Sequence, residues 1–226
     1  VITSGGLDST VLLHHHIAIG DQVRALGVDY GQRHACELNC ALSQANLLEI
    51  PFTIARMASL AELLPGSSQT SESVAVPEGH YAAENMKATV VPNRNMILLA
   101  LAMGHAIAHK FDAVSYAAHA GDHAIYPDCR PDFAEGMDKV AQLCDWRPLR
   151  LLRPFIKMSK TEIVQRGAEL KVDFSRTYSC YAGKAGVHCG RCGTCVERAE
   201  SFRDAGVPDP TNYADADFFR RVSAPT

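Results

Sequence analysis

Short apolar runs alternate with segments of helical periodicity in the first half of the chain. Residues 1–3 look like the end of a buried strand, residues 22–29 are mostly apolar and end in polar residues, and residues 51–55 predict a third strand. Between them, residues 10–19 and 34–48 carry apolar side chains at helical spacing. This alternation predicts a doubly wound α/β fold with a parallel sheet, whose ligands bind beyond the carboxyl ends of the strands.

The second half continues the alternation. We expect helices over residues 96–110, 132–143 and 159–170, and strands over residues 112–118 and 149–152. The helix over residues 159–170 opens with a Ser-x-x-Glu capping box, and a further helix is expected over residues 196–205. The pattern therefore predicts a sheet of five strands.

Residues 59–90 differ from the rest because they show no sustained period and are rich in serine. So long an irregular segment in a compact domain is usually a mobile lid or a binding loop. We therefore predict a nucleotide-binding α/β domain over residues 1–175 with a lid-like insertion at about 59–90. A small separate element is expected over residues 176–226.

A glycine-rich loop, Ser-Gly-Gly-Leu-Asp-Ser-Thr at residues 4–10, lies between the first strand and its helix. Glycines allow a tight turn and close approach of an anion, and the helix start adds unpaired N–H donors. Ser4, Ser9 and Thr10 add hydroxyl groups, so the loop predicts a phosphate site. It is not a Walker A loop, because no lysine follows the glycines. Asp8 facing a phosphate would need a cation between them, which favours Mg²⁺; an ordinary glycine-rich turn is the alternative.

Polar groups also follow the other predicted strands. The sequence Asp-Tyr-Gly-Gln-Arg-His at residues 29–34 and the loop at residues 119–130 should face the glycine-rich loop, and Arg94 at a helix start could bind a phosphate or a carboxylate. Each has a simpler alternative. Residues 29–34 could be an ordinary polar loop, the loop at residues 119–130 could supply turn and helix-cap residues, and Arg94 could be a surface side chain. Lys157 or Lys160 could neutralise phosphate charge, although a lysine at a helix start is more often solvated.

Four cysteines have the spacing C-x8-C-x2-C-x2-C, at Cys180, Cys189, Cys192 and Cys195. Four thiolates at such spacing predict one closed, structural Zn²⁺ site per chain. An iron–sulfur cluster and two disulfides are the alternatives. The other four cysteines are scattered, which favours reduced thiols and a reducing compartment.

Composition narrows the classes of function. Net charge is −3, hydrophobic residues make up 47% and charged residues 21%. The chain therefore lacks the basic balance typical of nucleic-acid binding and favours a small-molecule substrate. No apolar run is long enough to span a bilayer and no signal peptide is visible, so we expect a cytoplasmic protein. Because the chain opens on Val1, we also expect an initiator Met and part of the first strand to be missing from this numbering.

The loop at residues 4–10 resembles the signature of the PP-loop ATP pyrophosphatases, also called adenine nucleotide alpha hydrolases. Together with the motifs at residues 29–34, 94–95, 126–130 and 179–181, the four cysteines and the tail at 205–211, it resembles the 7-cyano-7-deazaguanine synthase (QueC) family over nearly the whole chain. The resemblance implies a Rossmann-like fold, a homodimer and a carbon–nitrogen ligase of queuosine biosynthesis. This ligase would turn 7-carboxy-7-deazaguanine, ammonia and ATP into the nitrile through adenylylated intermediates. No glutaminase motif is present, so free ammonia is the expected nitrogen source.

The resemblance also implies a set of site residues. For catalysis these are Ser4, Asp8, Ser9 and Arg94; for ATP they are Ser4, Gly5, Gly6, Leu7, Asp8, Ser9, Thr10 and Asp29; for the substrate they are Tyr30, Gln32, Arg33, Asn95, Asp122, Tyr126, Asp128 and Arg130.

The chain departs from the family pattern at Asn93, at Ala124-Ile125 and at residues 119–121. Asn93 stands where the family usually has glycine, and asparagine tolerates a left-handed backbone. Two other hypotheses compete with the nitrile-forming ligase. The first is a relative that stops at the amide or modifies another base or tRNA, and the second is a non-enzymatic, zinc-bearing nucleotide-binding module.

Overall fold

The computed structural model describes residues 1–33, 36–57, 59–184 and 186–222. The helices are α1 (Leu7–Ala18), α2 (Cys36–Leu47), α3 (Leu60–Leu63), α4 (Arg94–Ala108), α5 (Pro131–Ala141), α6 (Lys160–Glu169), α7 (Gly193–Ala205) and α8 (Phe218–Val222). The strands are β1 (Ala25–Asp29), β2 (Phe52–Arg56), β3 (Ala113–Ser115) and β4 (Arg150–Leu152). Short 3-10 helices lie at Glu84–Thr89, Ala120–Ala124, Pro127–Cys129 and Phe174–Arg176.

A short extended segment, residues 1–3, joins two pairs of parallel strands into one sheet. β1 pairs with β2, and β3 pairs with β4. The Ile2 N–H donates to the Ser115 carbonyl at 2.9 Å, and the Thr3 N–H donates to the Leu26 carbonyl at 2.9 Å. The order across the sheet is therefore β2, β1, residues 1–3, β3, β4. This confirms the predicted doubly wound sheet and places the reversal of strand order beside residues 1–3.

Four helices begin earlier than the sequence pattern predicted, namely α1, α4, α5 and α7, and the difference is largest for α1 and α7. Helix α1 begins at Leu7 with Gly6 as its N-cap, so Asp8 and Ser9 lie in its first turn rather than in a preceding loop. Helix α7 begins at Gly193, three residues before the predicted start at Val196. In both cases a glycine-containing turn leads directly into the helix, and apolar periodicity does not detect such a start.

Helix α4 begins after an N-cap residue with a left-handed backbone. Asn93 has φ 57° and lies in the left-handed region, as its substitution for glycine predicted. Asn93 is the N-cap residue of the helix, but its side chain makes no capping hydrogen bond. Instead, the Asp128 carboxylate accepts a hydrogen bond from the Asn95 N–H at 2.9 Å, so a distant acid satisfies this donor.

Residues 59–90 contain α3 and one of the 3-10 helices and are anchored to the rest of the chain. Ser67 and Ser68 are buried, and the Ser67 hydroxyl donates to the Thr89 carbonyl at 3.0 Å. The Gly79 N–H donates to the Arg191 carbonyl at 3.0 Å. This hydrogen bond connects the segment to the cysteine-rich turn at residues 189–195. The lid-like motion expected of this segment stays a prediction.

Two apolar cores support the sheet. The larger one includes Leu99 of α4, Val114 of β3 and Leu151 of β4. The second packs α1, α6 and α7 together through side chains such as Leu12, Ile163 and Phe202. Within the described ranges, no helix combines the length and the apolarity that crossing a bilayer requires.

Arg198 of α7 is a fully buried cation beside the second core. Its guanidinium donates to the Thr177 hydroxyl at 2.8 Å and to the Phe174 carbonyl at 3.1 Å, and it lies 3.5 Å from the Asp209 carboxylate. These contacts join α7 to the segment before the cysteines and to the chain after α7.

We predict that Arg198→Met lowers the free energy of unfolding by about 3–5 kcal/mol, because a carboxylate and a buried carbonyl lose their partner. Arg203→Met on the same helix is the matched control, since Arg203 pairs with its neighbour Asp204 and both side chains are 51% exposed. The control should change stability by no more than about 0.5 kcal/mol. Urea denaturation followed by circular dichroism measures both, and equal losses would contradict the structural role of Arg198.

Candidate active site

A cavity of about 240 Å³ opens at the carboxyl ends of residues 1–3, β1 and β3, where the strand order reverses. Six of the chain's seven tyrosines line it. Such a wall offers flat apolar faces with polar rims, which suits a planar heteroaromatic ring. The tyrosines are Tyr30, Tyr81, Tyr116, Tyr126, Tyr178 and Tyr181.

The glycine-rich loop forms one end of the cavity. The Ser9 hydroxyl donates to the Gly6 carbonyl at 3.2 Å and accepts from the Ser4 N–H at 3.2 Å, which fixes the turn. The N-cap Gly6 has no side chain to cap α1, so the first-turn N–H groups remain as donors. This arrangement can bind an anion through backbone donors and the helix dipole.

Gly5 is required at its position for two reasons. Its φ is 83°, in the left-handed region. A Cβ there would lie 2.1 Å from the Glu37 carbonyl oxygen and 2.7 Å from the Ala41 nitrogen. The loop therefore packs directly on the first turn of α2.

Lys160 is the buried cation that faces the loop. It begins α6, only 11% of its side chain is exposed, and its Nζ donates to Asp8 Oδ2 at 2.6 Å. Glu197 Oε2 lies 3.5 Å from the same Nζ. The expectation that a lysine here is more often solvated is corrected for Lys160: the capping box at Ser159 turns the chain so that α6 starts against α1. Lys157 is exposed.

The charges of this cluster depend on one another. Burial alone would raise the pKa of Asp8, but attraction to Lys160 and His119 outweighs burial and holds the pKa below its ordinary value. Burial would lower the pKa of Lys160, whereas Asp8, Glu197 and Asp122 raise it above its ordinary value. Burial raises the pKa of Glu197, although Lys160 and His119 oppose the shift. Asp8 and Lys160 therefore form a charged pair at neutral pH.

His119 links the loop at residues 119–124 to this cluster. It is 2% exposed, and its Nδ1 accepts a hydrogen bond from the Gly121 N–H at 3.1 Å. Its Nε2 lies 3.5 Å from Asp122 Oδ1 and 3.9 Å from Asp8 Oδ2. Asp122 Oδ1 in turn accepts from the Tyr81 hydroxyl at 3.0 Å. These contacts orient Asp122 and Tyr81 at the cavity wall.

The other end of the cavity contains Arg94 and Glu37 among the tyrosines. Arg94 Nη1 donates to the Tyr30 hydroxyl at 3.4 Å, and the Tyr126 hydroxyl lies 2.6 Å from the Thr89 hydroxyl. Burial raises the pKa of Glu37 to about 8, and attraction to Arg94 opposes the shift in part. This end can therefore hold an anion at Arg94 beside a carboxyl group that titrates near neutral pH.

The structure brings ten of the sequence-predicted site residues to the cavity wall. These are Ser4, Gly6, Asp8, Ser9, Tyr30, Gln32, Arg94, Asn95, Asp122 and Tyr126.

The remaining predicted residues lie outside the wall. Gly5, Leu7 and Thr10 are buried beneath the loop, and Asp29 accepts from the Gly31 N–H. Three more are engaged elsewhere: Arg33 donates to the Ser68 carbonyl, Asp128 binds the α4 start, and Arg130 donates to the His123 carbonyl. His34, at the end of the second motif, lies outside the described residues.

Sequence reasoning missed several wall residues, namely Glu37, Tyr81, Tyr116, Tyr178 and Thr194. Glu37 was detectable in principle, because it is an acid in the first turn of the helix that follows the second motif. Tyr81 comes from the irregular insertion, where no periodic pattern indicates a direction. Tyr116 directly follows β3 and falls inside the strand predicted over residues 112–118.

The four cysteines converge as predicted. Their Sγ atoms all lie within 4.8 Å of one another and could hold a metal ion. The Cys180–Cys192 and Cys189–Cys195 sulfur distances are both 3.9 Å, far longer than a disulfide bond. Backbone N–H groups of Ala182 and Arg191 point at these sulfurs at 3.3 Å, as they do around thiolate ligands.

We predict that Gly5→Ala lowers the free energy of unfolding well beyond the cost of its left-handed backbone. Gly20→Ala is the matched control, because Gly20 has φ 88° and no atom lies within 4 Å of the position that a Cβ would take. The control should lose about 1–2 kcal/mol. Gly5→Ala should lose more, since the Glu37 carbonyl must move; equal losses in chemical denaturation would show that α2 does not constrain the loop.

Comparison with known proteins agrees with this geometry. A family described as "Queuosine biosynthesis protein QueC" matches residues 1–206. A protein of Marinobacter nauticus named 7-cyano-7-deazaguanine synthase is 50% identical over 213 residues, 94% of this chain and 96% of its own length. One of the same name from Brucella ovis is 50% identical over 225 residues, 99% of this chain and 96% of its own length.

Two solved structures are more distant. NMN synthetase from Francisella tularensis has 15% identity and a TM-score of 0.48, covering 98% of this chain and 80% of that chain. The U34-tRNA thiolase NcsA from Methanococcus maripaludis has 13% identity and a TM-score of 0.47, covering 100% and 77%. Likeness at this level carries no argument about function. The match over residues 1–206 and the 50% identity over nearly the whole chain are decisive: the chain belongs to the QueC family of queuosine biosynthesis proteins.

Proposed function

We propose that this chain is a 7-cyano-7-deazaguanine synthase, an ATP-dependent carbon–nitrogen ligase that converts 7-carboxy-7-deazaguanine and ammonia to the nitrile. The observation that carries the proposal, given the family, is that one cavity joins an anion-binding helix start to a tyrosine-lined chamber. ATP and a planar base acid would then meet in a single site, as an adenylylation requires.

The chemistry explains why both ends are needed. A carboxylate is a poor electrophile because its charge is delocalised, so its oxygen must first become a good leaving group. Attack of that oxygen on the α-phosphate of ATP gives an acyl adenylate and releases pyrophosphate. Ammonia then displaces AMP to give an amide, and a second adenylylation on the amide oxygen allows its loss as AMP, leaving the nitrile.

The phosphate end would supply charge stabilisation. The first-turn N–H groups of α1 and the Ser4 hydroxyl would bind the departing pyrophosphate, with Ser9 holding the turn. Lys160 Nζ, held at 2.6 Å by Asp8, is the buried cation at this loop. It would contact the phosphates of ATP, as the lysine of the phosphate-binding loop does in Walker A proteins.

The aromatic end would orient the base acid. A deazapurine ring would stack on the tyrosines, while Arg94 would hold the substrate carboxylate by charge-assisted hydrogen bonds. Holding both reactants in one cavity would remove much of the entropic barrier to their reaction.

Mg²⁺ fits the residues at the phosphate end. Asp8 Oδ1 is buried and has no hydrogen-bond partner among the described residues, so one hard oxygen ligand remains when Oδ2 binds Lys160. Asp8 would hold the ion, which when bound neutralises phosphate charge and polarises the α-phosphate. ATP and Mg²⁺ are accordingly proposed together.

The four-cysteine cluster is proposed to hold one structural Zn²⁺. Four sulfur ligands complete a tetrahedral shell and leave no open position for substrate. None of the described cysteines forms a disulfide, and a reducing, cytoplasmic setting is proposed with the metal site. The homodimer is proposed from the family resemblance alone.

We predict that the protein, incubated with ATP, Mg²⁺, ammonium and 7-carboxy-7-deazaguanine, releases AMP and pyrophosphate and gives a product with the mass of the nitrile. Lys160→Met should lower the rate about 100-fold, as loss of one preorganised charge contact does. Lys157→Met, at an exposed lysine three residues away, should stay close to the wild-type rate.

Release of ADP and orthophosphate, or indifference to ATP, would contradict the proposal. Amide without nitrile would identify a relative that stops at the first nitrogen transfer.

We also predict one zinc per chain by elemental analysis. Cys192→Ala should lose the metal, because three sulfurs cannot complete the closed site, while Cys144→Ala at an exposed thiol should keep it. Iron with labile sulfide in place of zinc would overturn the assignment.

A further inference from the structure

Three carboxylates of the described chain line the cavity, and two of them are already engaged. Asp8 pairs with Lys160 at 2.6 Å, and Asp122 accepts from the Tyr81 hydroxyl at 3.0 Å and from the His119 N–H at 3.3 Å. The third is Glu37. Its carboxyl group faces the cavity, and Arg94 is the charged side chain that acts on it.

The backbone of Glu37 packs against the glycine-rich loop, and its carboxyl group lies at the tyrosine-lined end of the cavity. Glu37 lies in the first turn of α2, and its carbonyl oxygen packs where a Cβ of Gly5 would be. Its backbone therefore abuts the phosphate loop while its side chain faces the chamber that contains Arg94. A carboxyl group at this place can reach a nucleophile that attacks a group activated at the loop.

The surroundings of Glu37 leave it able to exchange a proton near neutral pH. Arg94 of α4 is the charged group that acts on the Glu37 carboxyl, and Glu37 in turn raises the pKa values of Tyr181, which follows Cys180, and of Cys36 and Cys40 on its own helix. Burial raises the pKa of the Glu37 carboxyl to about 8, and Arg94 only partly opposes this. A general base works best when its pKa lies near the working pH.

The proposed reaction needs such a group, because ammonia is mainly ammonium at neutral pH and ammonium has no lone pair with which to attack. We propose that Glu37 is the general base that deprotonates ammonium for attack on the adenylylated carboxyl group. This inference rests on the proposed function and names a residue for its nitrogen-transfer step.

The step balances in atoms and charge. Ammonium gives one proton to the Glu37 carboxylate, and the freed lone pair forms the N–C bond at the carbonyl carbon. The C–O bond to AMP breaks, with its electron pair leaving on AMP. The nitrogen then loses a second proton to solvent, and the proton on Glu37 returns to solvent when products leave. No oxidant or reductant is required.

The test compares two nucleophiles at pH 7 with the Glu37→Gln variant. With ammonium, amide formation should fall about 100-fold, the contribution typical of a positioned base. With hydroxylamine, which is largely unprotonated at this pH, the variant should form the hydroxamate at nearly the wild-type rate. Glu49→Gln removes an exposed acid close to the end of the same helix and should change neither rate.

Carboxylate-dependent exchange of pyrophosphate into ATP separates this inference from the proposed function. The exchange reports activation alone and should be equal in wild type and Glu37→Gln. If the wild type shows no exchange, the proposed function has failed. If exchange persists but Glu37→Gln slows both nucleophiles equally, or slows neither, Glu37 is not the base.

Discussion

The short extended segment at residues 1–3 joins the two halves of the parallel sheet. Residues 1–3 are hydrogen-bonded on one side to Leu26 of β1 and on the other to Ser115 of β3, and so they unite two strand pairs in one sheet. Because this strand is central, the loop that follows it emerges where strand order reverses. The positions of the glycine-rich loop, of Asp8 and of the cavity follow from this central place in the sheet.

The loop gains its cation from a remote part of the chain. The buried Asp8 carboxylate would be unfavourable without a positive partner, and Lys160 of α6 provides one from 152 residues away in sequence. The second apolar core fixes that distance, because α1, α6 and α7 pack as one unit. Core packing on this face therefore sets the electrostatics of the site.

Much of this arrangement was predictable from the sequence. The alternation of short apolar runs and helical periods predicted the five parallel strands. The glycine-rich motif predicted a turn between the first strand and the helix that follows it. The cysteine spacing predicted four converging sulfurs, now seen within 4.8 Å of one another. These features are local, so a short stretch of chain contains the whole signal.

Tertiary contacts decide the positions of the residues that the sequence pattern alone could not place. Lys160 carries the same local signal as a solvated lysine, and only the packing of α6 on α1 buries it. Arg33 and Arg130 have side chains that could bind an anionic ligand. Their guanidinium groups instead donate hydrogen bonds to the backbone carbonyls of Ser68 and His123. Tyr81 reaches the cavity from an insertion without periodicity, so no pattern could direct it there.

The attachment of that insertion to the cysteine-rich turn has a consequence for the enzyme as a whole. Glu78 forms an antiparallel β-bridge with Cys192, Gly79 donates to the Arg191 carbonyl, and Arg191 pairs with the Glu78 carboxylate at 2.8 Å. Tyr81, two residues after Gly79, forms part of the cavity wall. A metal bound by the four sulfurs would therefore also help to position Tyr81 at the cavity wall, so removing it should change the shape of the cavity as well as that of the turn.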